Sequence, residues 1–283
     1  MEPPEPWRDR VRSTRFDPGA RGSPRRRGKA AARNHGRSSS ERRERRIDRS
    51  RSPALRAAAI FDLDRTLLAP PSSERAFFRY LLAKRRVPLR TFPYAAAGAL
   101  ALARRGPIAA TKGNKFIWRG WKRSELEREA LACFDEVLRS RVYAKAWQVV
   151  EEHKSKGDLV VLLSGTLDVL LAPFVDALRA DLWFPSRLET TDGRITGALE
   201  GNHPFGAGKR RIVHRLFREN ELDPERSFAY GDDLSDVAVL SAVGHPVATN
   251  PSPALAPVAR RMGWRIERFQ PPGYAFTDAG THL

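Results

Sequence analysis

The stretch that most constrains this chain is Ile60-Phe61-Asp62-Leu63-Asp64-Arg65-Thr66-Leu67-Leu68. Residues Ala57 to Phe61 are apolar and read as a buried parallel strand that runs straight into two carboxylates. Asp62 and Asp64 alternate with Leu63, so on an extended chain they point to the same face. Two acids sharing one face are costly to bury. A divalent cation between them removes that cost, and Mg²⁺ prefers such oxygen ligands. Asp-x-Asp also occurs in ordinary turns, so the pair needs support from elsewhere in the chain.

The net charge of +18 over 283 residues suggests a nucleic-acid binder until its distribution is read. Residues 1–56 hold eighteen Lys and Arg against seven acids, so most of the excess sits at one end. Residues 1–54 are rich in Arg, Ser, Pro and Gly and nearly free of aliphatic side chains. They cannot bury enough apolar surface to offset their ordering entropy and are expected to form a disordered basic tail. An inert tail and a tether for nucleic acid or acidic lipid both fit it. Cys133 is the only cysteine, which excludes an intrachain disulfide and a Cys-rich zinc site and points to the cytoplasm. No apolar run reaches the roughly 18 residues that a membrane span needs. The N-terminus lacks the apolar core of a signal peptide.

After Pro70-Pro71-Ser72-Ser73 the period becomes helical. Ala76, Phe77, Tyr80 and Leu81 share one face, and Ala95–Leu102 is a second apolar segment closed by Arg104-Arg105-Gly106-Pro107. Ser124-Glu125-Leu126-Glu127 has the form of a capping box, ahead of a stripe of Leu126, Ala130, Phe134, Val137 and Leu138. Tyr143, Trp147 and Val150 continue the period until Gly157. Residues 68–157 are thus expected to form a helical cap, inserted between residues 55–67 and 158–283 of an α/β core.

In the second core segment, Leu159–Leu163 reads as a strand, followed by Ser164-Gly165-Thr166 and a helix. Trp183-Phe184 reads as a short third strand, and Arg187–Thr191 with Arg194–Leu199 as a hairpin about Asp192-Gly193. Lys209–Arg218 is a basic helix. Ser227–Tyr230 is a strand ending in Gly231-Asp232-Asp233-Leu234-Ser235-Asp236, and Pro246–Ala248 and Ile266–Phe269 are further strands. Strands alternating with helices predict a Rossmann-like parallel sheet covered on both faces, with ligands beyond the strands' C-terminal ends. Asp62/Asp64, Ser164–Thr166 and Asp232/Asp233/Asp236 all fall there, with Lys209 between the last two. These groups suit phosphoryl transfer: a carboxylate nucleophile, a second carboxylate for protons, a hydroxyl and free N–H groups for phosphate oxygens, a lysine, and acids for Mg²⁺.

In order and spacing these segments resemble the haloacid dehalogenase superfamily, specifically its phosphoserine-phosphatase-like subfamily IB, over about residues 57–270. The resemblance implies Asp62 as nucleophile and Asp64 as acid/base. It implies Ser164, Gly165 and Lys209 as phosphate ligands, and Mg²⁺ held by Asp62, the backbone carbonyl of Asp64, and Asp232. Thr66, Asp233 and Asp236 would support the site, Asp236 by completing the metal shell or orienting Lys209. Two positions depart from the pattern. Arg65 stands where Gly is usual, with a side chain expected to point outward, and Asp233 stands where a small polar residue is usual, adding charge. Phosphoserine phosphatases place an acid early in the cap to read the substrate amine; here Glu74 is only nearby, which argues against phosphoserine as substrate.

The expected function is therefore hydrolysis of a small-molecule phosphomonoester with Mg²⁺ through an aspartyl-phosphate. A nucleic-acid-associated protein using the tail is the alternative. A catalytically idle phosphoprotein-binding module is disfavoured, because no expected catalytic acid is missing. His203 and His245 show no metal-ligand spacing, Gly201–Gly208 lacks a following Gly-Lys-Ser/Thr, and Asp168, Trp118 and Trp121 read as structural. The oligomeric state is not legible.

Overall fold

A computed structural model describes residues 55–89, 91–103, 115–201 and 204–271. The expected basic tail of residues 1–54, and the nucleic-acid reading that depends on it, lie outside those residues, as do Arg104–Pro107 and His203.

Among the described residues, strand β1 (Ala58–Phe61) leads into helical elements: α1 (Ser73–Ala83), α2 (Thr91–Ala103), a 3-10 turn (Phe116–Trp118), α3 (Arg123–Cys133), a π turn (Phe134–Leu138) and α4 (Ala144–Ser155). The chain then alternates: β2 (Leu159–Leu167), α5 (Asp168–Leu178), β3 (Leu182–Thr191), β4 (Arg194–Glu200), α6 (Ala207–Glu219), β5 (Phe228–Gly231), α7 (Val237–Leu240), β6 (His245–Thr249), α8 (Leu255–Arg261) and β7 (Arg265–Glu267). The seven strands form one sheet in the order β4-β3-β2-β1-β5-β6-β7, parallel except for the β3–β4 hairpin. This is the expected α/β class.

All four residues of β1 are buried, because the strand is central and both sheet faces are covered. Ala58, Ile60, Val161, Leu163, Ala229 and Ala248 pack with Val213, Leu216, Val239 and Leu255 in one core cluster. The helices of the insertion bury the faces their spacing announced: Ala76, Phe77, Tyr80 and Leu81 in α1, then Leu126 and Ala130 in α3 and Phe134 and Leu138 beyond it. Trp118 packs on Phe77 at a centroid distance of 5.3 Å and on Trp121 at 6.4 Å.

Three local expectations are corrected. The strand expected to stop at Leu163 runs to Leu167, with its register shifting between Leu163 and Leu167. Trp183-Phe184 and Arg187–Thr191 belong to one strand, β3, and Pro185 lies opposite that same shift, where a residue without an N–H breaks no ladder bond. The capping box at Ser124 does not form: α3 begins at Arg123, and Ser124 makes no cap bond. The hairpin sets that start, since the Arg123 N–H donates to the Gly193 carbonyl at 2.9 Å and Lys122 bridges to Arg194. Arg123 instead holds Glu127 and the buried Asp168.

Candidate active site

Sheet order places the site. From β1 the chain moves to one side (β2, β3) and then returns to the other (β5, β6), so a crevice opens beyond the ends of β1 and β5. The Asp62 N–H donates to the Tyr230 carbonyl at 3.0 Å and carries the ladder one residue past β1. Tyr230 is braced from below by ring stacking on Phe61 and by a 2.8 Å contact with His153, which also contacts Asp158 at 2.7 Å.

Lys209, in the first turn of α6, is buried and donates to Asp62 Oδ1 at 2.7 Å and to Asp236 Oδ1 at 2.5 Å. Asp236 Oδ2 accepts the backbone N–H groups of Asp232 and Asp233, both at 3.1 Å. Asp236 therefore both orients Lys209 and shapes the loop that presents Asp232. This close packing requires glycine at 231, where a Cβ would lie 2.5 Å from Asp236 Cβ and 2.8 Å from its Cγ. Gly231→Ala is expected to destabilise the fold by roughly 1–3 kcal/mol through overpacking. Urea denaturation checks this, and an unchanged midpoint would mean that Asp236 moves aside freely.

Asp64 lies in a different environment. Its carboxylate accepts the Ser73 N–H at 2.6 Å, the Ser73 hydroxyl at 3.2 Å and the Thr166 hydroxyl at 3.4 Å. Thr166 Oγ1 is also 3.1 Å from Ser164 Oγ, so a chain of hydroxyls joins Ser164 to Asp64. The Gly165 carbonyl is fixed by Ser186 Oγ at 2.8 Å. The expectation that Asp62 and Asp64 share one face of an extended chain is corrected, since their carboxylates meet different partners. Among the described residues, Asp62, Asp232 and Asp236 form a group of three whose carboxylate oxygens lie within 4.8 Å of one another. Strand alternation ends at Phe61: the Leu67 and Leu68 N–H groups both fold back to the Leu63 carbonyl at 2.9 Å, and Arg65 takes a left-handed φ of 65°. Thr66, inside that turn, is wholly buried and its hydroxyl has no hydrogen-bond partner.

Arg65 is exposed, as its sequence position allowed, but its guanidinium reaches back to two acids. Its Nε lies 2.6 Å from Asp232 Oδ2, and its terminal nitrogen 3.3 Å from Asp233 Oδ2. The reason is charge: Asp232 Oδ2 is buried, makes no aligned hydrogen bond, and takes the nearest mobile cation. Asp233 has a second role that its sequence position did not announce, since its side chain and that of Asp236 form a reciprocal capping box.

The electrostatics follow from this crowding. Burial pushes Asp62 up to about 7 despite the Lys209 ammonium beside it. Burial, then the charges of Asp62 and Asp236, push Asp232 up to about 8 against the pull of Arg65. Burial also raises Asp64, opposed by its bonds from Ser73. Burial alone would lower Lys209, but Asp236 and Asp62 outweigh it and hold the ammonium above its usual range. Buried carboxylates left short of positive charge form an all-oxygen donor set that fits a small hard cation such as Mg²⁺.

The structure thus gathers Asp62, Lys209, Asp232, Asp233 and Asp236 into one ionic cluster and joins Ser164 to Asp64 beside it. Sequence reading missed Ser73 as a partner of Asp64, Thr166 as the link to Ser164, and Arg141, which clasps the carbonyls of Ala69 and Pro71 in the segment leading to Ser73. Only the Ser-Ser-Glu helix start hinted at the first of these.

The family model for haloacid dehalogenase-like hydrolases matches residues 59–241. The chain is 31% identical to the "Inhibition of morphological differentiation protein" of Streptomyces azureus, over 77% of this chain and 80% of that one. It is also 31% identical to a phosphoserine phosphatase of Mycobacterium tuberculosis, over 79% of this chain and 74% of that one. A crystal structure of a Bordetella pertussis protein of unknown function shares 28% identity and a TM-score of 0.64, covering 76% of this chain and 99% of that one. A phosphoserine phosphatase structure titled as a phospho-aspartyl intermediate analogue shares the fold, with 16% identity and a TM-score of 0.53, covering 77% of this chain and 95% of that one.

Proposed function

The chain belongs to the haloacid dehalogenase-like hydrolases and is a phosphatase of that family, and from that premise we propose that it hydrolyses a small-molecule phosphomonoester through a phosphoaspartate on Asp62. The observation that carries this reading is the division of the two leading acids. Asp62 is held by an ammonium beside Asp232 and Asp236, whereas Asp64 is held only by hydroxyl and N–H donors.

Each environment suits one task. The Asp62 carboxylate attacks phosphorus, and the P–O bond to the leaving alcohol breaks. Asp64, whose raised affinity for a proton suits an acid, protonates that oxygen. The resulting Asp64 carboxylate then takes a proton from water, whose oxygen attacks phosphorus, releases Asp62 and frees inorganic phosphate. Ser164 and the backbone at Gly165 bind phosphate oxygens, and Lys209 neutralises charge gathering on them. Asp62, Asp232 and the carbonyl of Asp64 would hold Mg²⁺, which supplies further positive charge to the phosphoryl group. Glu74 is paired with the buried Lys115 at 2.5 Å, so its charge is already met within the protein, in keeping with a substrate other than phosphoserine.

The metal has a testable linkage. With Asp62 raised to about 7 and Asp232 to about 8, the folded metal-free protein holds protons that the unfolded chain has released. Its stability therefore falls as pH rises from about 4 to about 8. A bound cation keeps both acids ionised and removes that loss. Mg²⁺ at about a hundredfold its Kd is worth ~2.7 kcal/mol, or roughly 5–10 °C in Tm, and the gain should grow with pH up to about 8. Melting scans with Mg²⁺ and with EDTA check the sign, and a gain largest near pH 5 would contradict it. The functional reading itself is tested by phosphate release from p-nitrophenyl phosphate, which EDTA should abolish and Mg²⁺ restore. Full activity after exhaustive EDTA treatment would sink the metal's role.

A further inference from the structure

Helix α2 presents a face that nothing in the phosphatase reading uses. Among its described side chains the exposed ones are Phe92, Pro93, Tyr94, Ala96, Ala97 and Leu100, none of them charged. Leu100 is 77% exposed, and Leu89, just before the helix, is 85% exposed. Isolated apolar residues on a surface need no explanation, but a contiguous set of this kind marks a binding surface. The helix packs on the 3-10 turn at Phe116–Trp118, and Arg119 lies over the rings of Phe116 and Tyr94, so Tyr94 borders that anchored side.

Charge identifies what this face meets. From Arg75 to Ser124 the chain holds thirteen Lys and Arg and no Asp or Glu. Lys84, Arg86, Lys115 and Lys122 pair with acids from outside that stretch. Arg85 is exposed and makes no ion pair among the described residues, Arg119 is exposed, and Arg90, Arg104 and Arg105 bracket the helix in sequence. The helix carries no charge of its own, and its exposed Leu and Phe stand in an acid-free basic stretch, a pairing of apolar surface with positive charge that suits the surface of an anionic bilayer. A nucleic acid would satisfy the guanidinium groups but leave Leu89 and Leu100 in water. A second copy meeting this face with its own would set two basic surfaces against each other. No helix among the described residues is long and apolar enough to cross a membrane, so the arrangement suits lying on one.

We propose that α2, with Leu89, is a docking surface for an anionic lipid bilayer. Leu89, Phe92 and Leu100 enter the headgroup–acyl boundary, and exposed basic side chains of the same stretch, Arg85 and Arg119, meet lipid phosphates.

The full chain should be co-sedimented with phosphatidylcholine vesicles made with and without phosphatidylglycerol. The basic tail adds electrostatic attraction of its own, so the deciding comparison is Leu89→Ser/Phe92→Ser/Leu100→Ser, which leaves every charge in place. Wild-type protein should partition to the anionic vesicles at least about tenfold better than to neutral ones, and the triple variant should lose roughly tenfold or more. A single Leu100→Ser variant should lose part of the binding, and melting scans confirm that each variant is folded. Equal binding by the triple variant, equal binding to neutral vesicles, or no binding would overturn the proposal. So would sedimentation velocity showing the face covered in a dimer that vesicles do not compete with.

Discussion

Asp62→Asn should lower kcat by about 10⁴-fold or more, at least ~5.4 kcal/mol of transition-state stabilisation, because it removes the carboxylate proposed to attack phosphorus. Asparagine has nearly the same shape, so the ladder bond to Tyr230 and the fold should persist. Lys209 keeps Asp236 as an ionic partner and loses only one of its two carboxylates. The same change removes negative charge beside the bound phosphate, so a phosphate analogue should bind at least as well as to the wild type. Steady-state kinetics with phosphate-analogue titration separates the two effects. A variant that loses analogue binding along with turnover would show that Asp62 holds the substrate rather than attacking it.

Asp64→Asn should slow the reaction by on the order of 10²–10⁴-fold, with a pattern that Asp62→Asn cannot produce. Asparagine keeps one oxygen to accept the Ser73 N–H, its NH2 group can donate to the Ser73 and Thr166 hydroxyl oxygens where the second carboxylate oxygen accepted from them, and the backbone carbonyl is unchanged, so the position is kept and proton transfer is lost. Esters with good leaving groups need no proton on departure and should suffer least. For them the first step continues, while water attack on the phosphoaspartate lacks its base. A uniform loss across leaving groups would mean that Asp64 acts through position rather than protons.

Much of this was legible in the chain because it is local. Ala57–Phe61 and Leu159–Leu163 are too apolar and too short for anything but buried central strands, and each runs into polar residues. Asp62, Ser164, Lys209 and Asp232 follow in an order that one parallel sheet brings together. What was not legible depends on contacts across the sequence. The bond from Ser73 to Asp64 needs the turn at Leu63–Leu68 to bring the start of α1 over the strand end. Arg65 is exposed, but nothing along the chain shows that the buried Asp232 Oδ2, with no hydrogen-bond partner, draws its guanidinium in. Ser124-x-x-Glu127 had the capping pattern and failed because a hairpin fixed the helix start. Asp233-x-x-Asp236 forms a reciprocal cap with acids at both positions, where the usual pattern has Ser or Thr followed by Glu or Gln.

The central claim is that Asp62 carries the phosphoryl group, and rapid-quench mass spectrometry of the Asp64→Asn protein tests it most directly. Mixed with an activated phosphate ester and quenched in acid, this variant should accumulate one phosphate per chain on the peptide containing Asp62, with no such species in Asp62→Asn. Phosphate on any other peptide, or turnover by Asp62→Asn at the wild-type rate, would contradict the account.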